Sequence, residues 1–134
     1  MDPREAKLPK WAQEALEEAR TRAALAWPGF PDPAPAFTAD GASGDATPHS
    51  DGFYWQTWLT YGAERSKVER VWVRARIRYS SPQEAERREG FGSRCDGRYY
   101  ATREEAFQAA AWLEAAAAAK RLRSILAQLE GAAP

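Results

Sequence analysis

The residues best suited to recognition chemistry lie in the stretch 68–80. If this stretch forms one β-strand, alternate side chains point to opposite faces. One face then presents Trp72, Arg74, Arg76 and Arg78. Arginine offers a planar fork of donors that binds carboxylates, phosphates and base edges, and tryptophan beside arginine is typical of interaction hot spots. Because unpaired guanidinium groups are too costly to bury, the spacing predicts an exposed binding face.

Further basic and aromatic residues extend this predicted site. The surrounding basic run 65–78 adds Arg70, and a hairpin with the aromatic stretch 53–61 would bring Trp58 close to Trp72. The alternative is a solvated outer face whose arginines pair with Glu64 or Glu69. The predicted partner-binding residues are Trp58, Arg70, Trp72, Arg74, Arg76 and Arg78.

Catalytic chemistry is not predicted. His49 is the only histidine and lies in a segment rich in proline and glycine, where we expect it to be solvated. Cys95 is the only cysteine, and its glycine-flanked loop predicts an exposed thiol rather than a nucleophile. One His and one Cys do not make a zinc ligand set, and no phosphate-binding glycine loop is followed by lysine. We expect no enzyme activity, cofactor or metal; an enzyme using carboxylates or Cys95 is the remaining alternative.

The composition fits one globular domain. The chain has 134 residues, of which 44% are hydrophobic and 28% charged. No apolar run approaches the roughly 20 residues that span a bilayer, and the charged N-terminus is unlike a secretory signal. A single cysteine fits a reducing compartment, so we expect a cytoplasmic protein without membrane contact. Zero net charge with a local basic run favours a specific partner over indiscriminate electrostatic binding.

The periodicity of apolar residues and the positions of prolines and glycines divide the chain into three parts. Apolar residues at spacings of three and four predict a helix over 9–26, ended by Trp27 and Pro28. Residues 27–52 contain many prolines and glycines and are predicted to form a linker. Strands are predicted at 53–61, 68–80 and 98–101, with a hairpin connection at 62–66. The predicted division is an N-terminal helical arm at 1–26, a linker at 27–52 and a sheet-plus-helix domain at 53–134.

Two capping signatures place the remaining helices. Ser81 followed by proline and Glu84 predicts a short helix to about residue 89, and Thr102 with Glu105 opens a long helix to about residue 130. The predicted fold is α+β: an N-terminal helix, a long Pro/Gly-rich linker, and a three-stranded antiparallel sheet packed by a long C-terminal helix. The alanine run 115–119 permits packing on the sheet, on the arm or on a second copy, so a monomer and a helix-mediated homodimer both stay open.

Two short stretches resemble known families. LPKWAQ at 8–13 and GRYYATREEA at 97–106 resemble small uncharacterised proteins of phages and prophages, where they open a helix and join a strand to a helix. The second stretch is also similar to the end of the three-strand-plus-helix DNA-binding domains of the AP2 and phage-integrase arm type. That resemblance implies DNA contact through the sheet face away from the helix, by Trp72, Arg74, Arg76 and Arg78, with Trp58 adjacent.

These features lead to one functional hypothesis with an alternative. The leading hypothesis is a non-enzymatic macromolecule-binding protein of phage or mobile-element type. It would bind a host protein or ribonucleoprotein complex through the Trp/Arg sheet face, for example as an inhibitor of CRISPR or another defence system. The alternative is a DNA- or RNA-binding domain that uses the same basic-aromatic face.

Overall fold

The computed structural model describes residues 3, 5–59 and 65–132 of the chain. Its described strands pair antiparallel in one sheet of order β2-β1-β7-β3-β4-β5-β6, which curves into a half-barrel. The elements are a 3₁₀ helix (Glu5–Lys7), α1 (Lys10–Ala26), β1 (Phe37–Asp40), β2 (Asp45–Ala46), β3 (Gly52–Leu59), β4 (Ser66–Arg74), β5 (Ile77–Tyr79), α2 (Pro82–Arg87), β6 (Ser93–Arg94), β7 (Gly97–Tyr100) and α3 (Arg103–Ala132).

The α+β class and the helices are confirmed. Helix α1 spans nearly the predicted range, and Ser81 Oγ caps α2 by accepting a hydrogen bond from the Glu84 N–H at 3.2 Å. Thr102 Oγ1 does the same for the Glu105 N–H at the start of α3, also at 3.2 Å. None of the helices in the described part of the chain combines the length and the apolar character needed to cross a membrane.

The predicted three-stranded sheet is wrong, because the described residues already form a sheet of seven strands. Two of the missed strands, β1 and β2, lie in the predicted linker and form a hairpin whose strand β1 pairs with β7. The prolines of this segment flank these strands and do not interrupt their hydrogen bonds. Phe37 of β1 is buried opposite Tyr99, so burial of one aromatic ring outweighs the loop-like composition. The predicted hairpin connection at 62–66 falls largely outside the described residues.

The predicted strand over 68–80 is also wrong, because a tight turn divides it into β4 and β5. Arg74 and Ile77 face each other across this turn, whose residue Ala75 has a φ of 55°. Such left-handed backbone is rare without glycine. Here the Ala75 N–H donates to Asp51 Oδ1 at 2.8 Å, and the Ala75 carbonyl oxygen lies 2.5 Å from His49 Nε2. These two side chains stabilise the turn from another part of the chain.

Replacing Ala75 by glycine is expected to raise the free energy of unfolding by up to about 1 kcal/mol. The left-handed backbone costs a residue with a Cβ roughly 1–2 kcal/mol, which exceeds the entropic cost of glycine. Urea denaturation measures the change. Ala116→Gly at an exposed position of α3 is the control and should lower stability by about 0.5–1 kcal/mol. An equal loss at both positions would contradict the role assigned to the turn.

The sheet separates two apolar clusters. On its inner face, the core consists of Phe37, Tyr54, Val71, Val73, Cys95 and Tyr99. On its outer face, α3 packs over β3, β4 and β7, with Tyr100, Ala106 and Ala109 buried against Trp55 and Val68. Hydrogen bonds from Arg76 Nη1 to the Gly44 oxygen at 2.8 Å and from the Gly41 N–H to Asp96 Oδ1 at 3.0 Å draw the two ends of the curved sheet together.

The N-terminal helix lies against the long C-terminal helix. The two helices pack against each other, and Leu16 of α1 is buried. Near the end of α1, the rings of Trp27 and Trp112 meet edge to face at 4.8 Å. Trp112 Nε1 also donates to the Phe30 carbonyl oxygen at 2.9 Å. The predicted division of the chain into parts 1–26, 27–52 and 53–134 is a statement about which parts fold independently. These contacts do not measure independent folding, so the division stays a prediction.

Candidate interaction surface

The pairing of β3 and β4 decides which side chains share the outer face. Directly opposed residues of an antiparallel pair lie on the same side of the sheet. Phe53 is opposite Trp72, and Trp55 is opposite Arg70. Trp55 is also opposite Tyr100, against which α3 packs. The alternation of β4 then places Arg74 on this outer face as well.

One half of the surface is a stack of arginine and aromatic rings from β3 and β4. The Arg70 guanidinium lies 4.4 Å from the centre of the Phe53 ring. Phe53 in turn meets the Trp72 ring edge to face at 4.9 Å, and 44% of Phe53 stays exposed. Cation–π contact with a ring restricts the flexible arginine side chain. Arg70 therefore rests against the Phe53 ring while the residue stays exposed.

The other half of the surface joins the sheet to the first turns of α3. The Arg103 guanidinium lies 5.9 Å from the Trp55 ring and 5.1 Å from the Phe107 ring. Phe107 is 50% exposed, although it belongs to a helix that packs on the sheet. These contacts join both halves into one surface, which we call the outer basic-aromatic face. It comprises Phe53, Trp55, Arg70, Trp72, Arg74, Arg103 and Phe107.

The arginines of this face lack an ion-pair partner among the described residues. No described carboxylate forms an ion pair with Arg70, Arg74 or Arg103. Asp51 directly precedes β3, and extending the β3–β4 register by one residue places it opposite Arg74. Its Oδ1 accepts the hydrogen bond of the Ala75 N–H and forms no ion pair with Arg74. Guanidinium groups bind carboxylate and phosphate through charge-assisted, often bidentate hydrogen bonds. The face is therefore suited to an anionic partner.

The structure brings together Arg70, Trp72 and Arg74, as the alternation predicted, but not Trp58. Trp58 lies opposite Lys67 on the inner side of β3, with the Lys67 Nζ 5.5 Å from its ring. The prediction that Trp58 lies beside Trp72 is wrong because the register places the two rings on opposite sides of the sheet.

Arg76 and Arg78 are separated from the others by the turn at Ala75. Arg76 lies in the turn and donates to the Gly44 carbonyl oxygen. Arg78 is opposite Val73 and so faces inward, where it donates to the Gln56 amide oxygen. The prediction of one continuous arginine stripe is wrong because an antiparallel turn reverses the alternation. Whether any of the six predicted residues contacts a partner stays a prediction.

Four residues of the outer basic-aromatic face were missed by the sequence analysis. Phe53 and Trp55 lie in the same predicted strand as Trp58 but on its other side, so the sequence alternation carries their signal once the register is known. Arg103 and Phe107 are four residues apart and therefore neighbours on α3. The exposure of these two side chains could not be predicted from the sequence, because Phe107 fits the apolar stripe of the helix and is therefore expected to be buried.

On the inner side, Tyr99 joins a buried polar network to the core. Its hydroxyl oxygen accepts hydrogen bonds from the Asp96 N–H at 3.0 Å and from Gln56 Nε2 at 3.2 Å. Burial raises the pKa of Tyr99 to about 12 and also raises the pKa of Cys95. Cys95 is only 3% exposed, so the predicted exposed thiol is wrong. A raised pKa and burial both suit a structural thiol.

The shifted pKa of Tyr99 predicts loss of stability at alkaline pH. Its pKa is raised from 10.0 to about 12 in the fold, so the folded state favours the neutral hydroxyl. The resulting stabilisation is complete below pH 10.0 and is lost as the pH rises towards about 12. Urea denaturation at increasing pH should show this decline, and Tyr99→Phe should remove part of it. An identical decline in the variant would contradict the assignment.

Metal binding has no support in the part of the chain that is described, where no three His, Cys, Asp or Glu side chains are grouped to hold an ion.

Comparison with known families gives one match, to a family of unknown function (DUF7239), over residues 1–29. No curated protein and no solved structure matches. The family match includes LPKWAQ and α1 but none of the outer basic-aromatic face, and it names no activity. The phage-type origin therefore stays a proposal.

Proposed function

We propose that this chain is a non-enzymatic macromolecule-binding protein that uses the outer basic-aromatic face to bind a host protein or ribonucleoprotein complex. The observation that carries the proposal is the set of Arg70, Arg74 and Arg103, which lie among partly exposed rings without a carboxylate partner in the described residues. Arginine and aromatic side chains dominate the binding energy of protein interfaces.

Pre-organisation adds to the suitability of this face. Holding a long side chain in one geometry costs about 0.5–1.5 kcal/mol when it is immobilised on binding. Arg70 and Arg103 already rest on rings of the same chain, so part of that cost is met during folding. Because the chain has no net charge, the local positive face favours one anionic surface over indiscriminate binding.

The biological form of the proposal is a phage-type inhibitor that covers a functional surface of a host defence complex in the cytoplasm. Its support is the LPKWAQ resemblance together with an exposed face able to bind without catalysis. The AP2-type mode of DNA binding does not transfer to this fold. In that family the DNA-binding side of the sheet faces away from the helix, whereas Arg70, Trp72 and Arg74 share the side on which α3 packs.

Affinity purification of the tagged full chain from a bacterial lysate tests the proposal. The expected result is a discrete complex that the wild-type protein retains and that Arg70→Glu with Arg74→Glu loses. The purification is run with and without nuclease, which separates protein from nucleic acid within the recovered complex. Recovery of the same material by both proteins, or of none by either, would overturn the proposed function.

A further inference from the structure

We infer that the outer basic-aromatic face recognises single-stranded nucleic acid, with bases stacked on its rings and phosphates bound by its arginines. This inference rests on the proposed function, because it names the component of the bound complex that the same face contacts. Its basis is the alternation of rings with guanidinium groups across β3, β4 and α3.

The rings favour nucleic acid over an acidic protein surface. Carboxylates of a protein would satisfy Arg70, Arg74 and Arg103 but would leave the exposed parts of Phe53 and Phe107 without a matching flat surface. Every base has a π-face, and stacking on aromatic side chains is the recurrent way in which proteins hold single strands without strong sequence preference. The face therefore offers both contacts that an unpaired strand requires.

The geometry favours a single strand over a duplex. The π-faces of duplex bases are covered by their neighbours, so exposed rings can stack only on unpaired bases. Helix α3 cannot enter a major groove through its inner side, because Ala106 and Ala109 bury that side on the sheet.

Purified full chain is tested by fluorescence polarisation with labelled oligothymidylate, oligouridylate and a DNA duplex, and with polyglutamate as competitor. The single strands are expected to bind, to quench tryptophan fluorescence and to outcompete polyglutamate.

Phe107→Ala should weaken binding by about tenfold through loss of stacking. Phe91→Ala is the matched control, since Phe91 is 80% exposed elsewhere on the chain. Arg70→Ala should make the slope of log affinity against log salt concentration shallower by about 0.7, because one phosphate contact is lost.

The outcomes separate this inference from the proposed function. Equal binding of all polyanions, with no effect of Phe107→Ala, would overturn the inference by showing electrostatic attraction alone. Absence of oligonucleotide binding would also overturn it. In that case, a complex that survives nuclease and depends on Arg70 and Arg74 would leave the proposed function standing with a protein as the recognised surface. Failure of both experiments would overturn both proposals.

Discussion

Reversing two charges on the outer basic-aromatic face, by Arg70→Glu with Arg74→Glu, is expected to lower affinity for the captured complex at least about a hundredfold. Arginine hot spots contribute about 2 kcal/mol or more each, and two glutamates add repulsion to an anionic partner. The fold should persist, because Arg70 is exposed and Arg74 is half-buried outside the inner core. Titration with the recovered complex measures affinity, and urea denaturation measures stability.

The matched control reverses two charges away from this face. Lys120→Glu with Arg123→Glu makes the same change in net charge at exposed positions of α3 and should leave affinity nearly unchanged. Equal losses from both double variants would indicate a general effect of net charge and contradict a localised site. Should the first double variant unfold, Arg70→Ala alone provides the test, and wild-type affinity in that variant would count against the proposal.

Replacing Gly92 by alanine is expected to destabilise the protein by about 3 kcal/mol. A Cβ at this position would lie 2.6 Å from the Arg78 carbonyl oxygen, 2.6 Å from Ile77 Cγ2 and 2.9 Å from Tyr79 Cδ1. These atoms belong to β5, whose backbone cannot shift without disturbing its pairing with β4. Forcing an extra methyl group into a packed position typically costs about 1–3 kcal/mol, and a clash with backbone lies at the upper end. Urea denaturation measures the loss.

Gly52→Ala is the control for this prediction. Gly52 begins β3, and a Cβ there would meet no atom within 4 Å. Its replacement should not destabilise the protein and is expected to raise the free energy of unfolding by up to about 1 kcal/mol, because alanine loses less backbone entropy on folding than glycine. Similar stability in the two variants would mean that the segment around Gly92 does not pack on β5 as described.

The helices could be predicted from the sequence because their signals are local. The apolar spacing of α1 and the caps formed by Ser81 and Thr102 all lie within a few residues of the element they specify. Strands β1 and β2 had no such signal. Phe37 is buried only because Tyr99, far along the chain, lies opposite it. Neighbouring prolines and glycines dominate any local window over this segment.

Arg70, Trp72 and Arg74, half of the predicted site, followed from side-chain alternation. Arg76 and Arg78 failed at one turn, and Trp58 failed because the pairing register of β3 and β4 places it on the inner side. Arg70, Trp72 and Arg74 lie within one strand, where alternation is reliable. The turn after Arg74 has neither glycine nor asparagine to mark it, and Ala75 is held in its conformation by Asp51 and His49 from a distant segment. A local sequence pattern does not indicate hydrogen bonds that come from residues so distant in the sequence.

Site-specific photo-crosslinking in a bacterial lysate tests the central claim most directly. Phe107, on the outer basic-aromatic face, is replaced by p-benzoylphenylalanine in one variant. Phe91, which lines a groove with Glu69 and Arg78 on another part of the molecule, is replaced in the second. We predict a discrete crosslinked partner from position 107 and none from position 91. A partner crosslinked from position 91 but not from position 107 would contradict the assignment of the outer face.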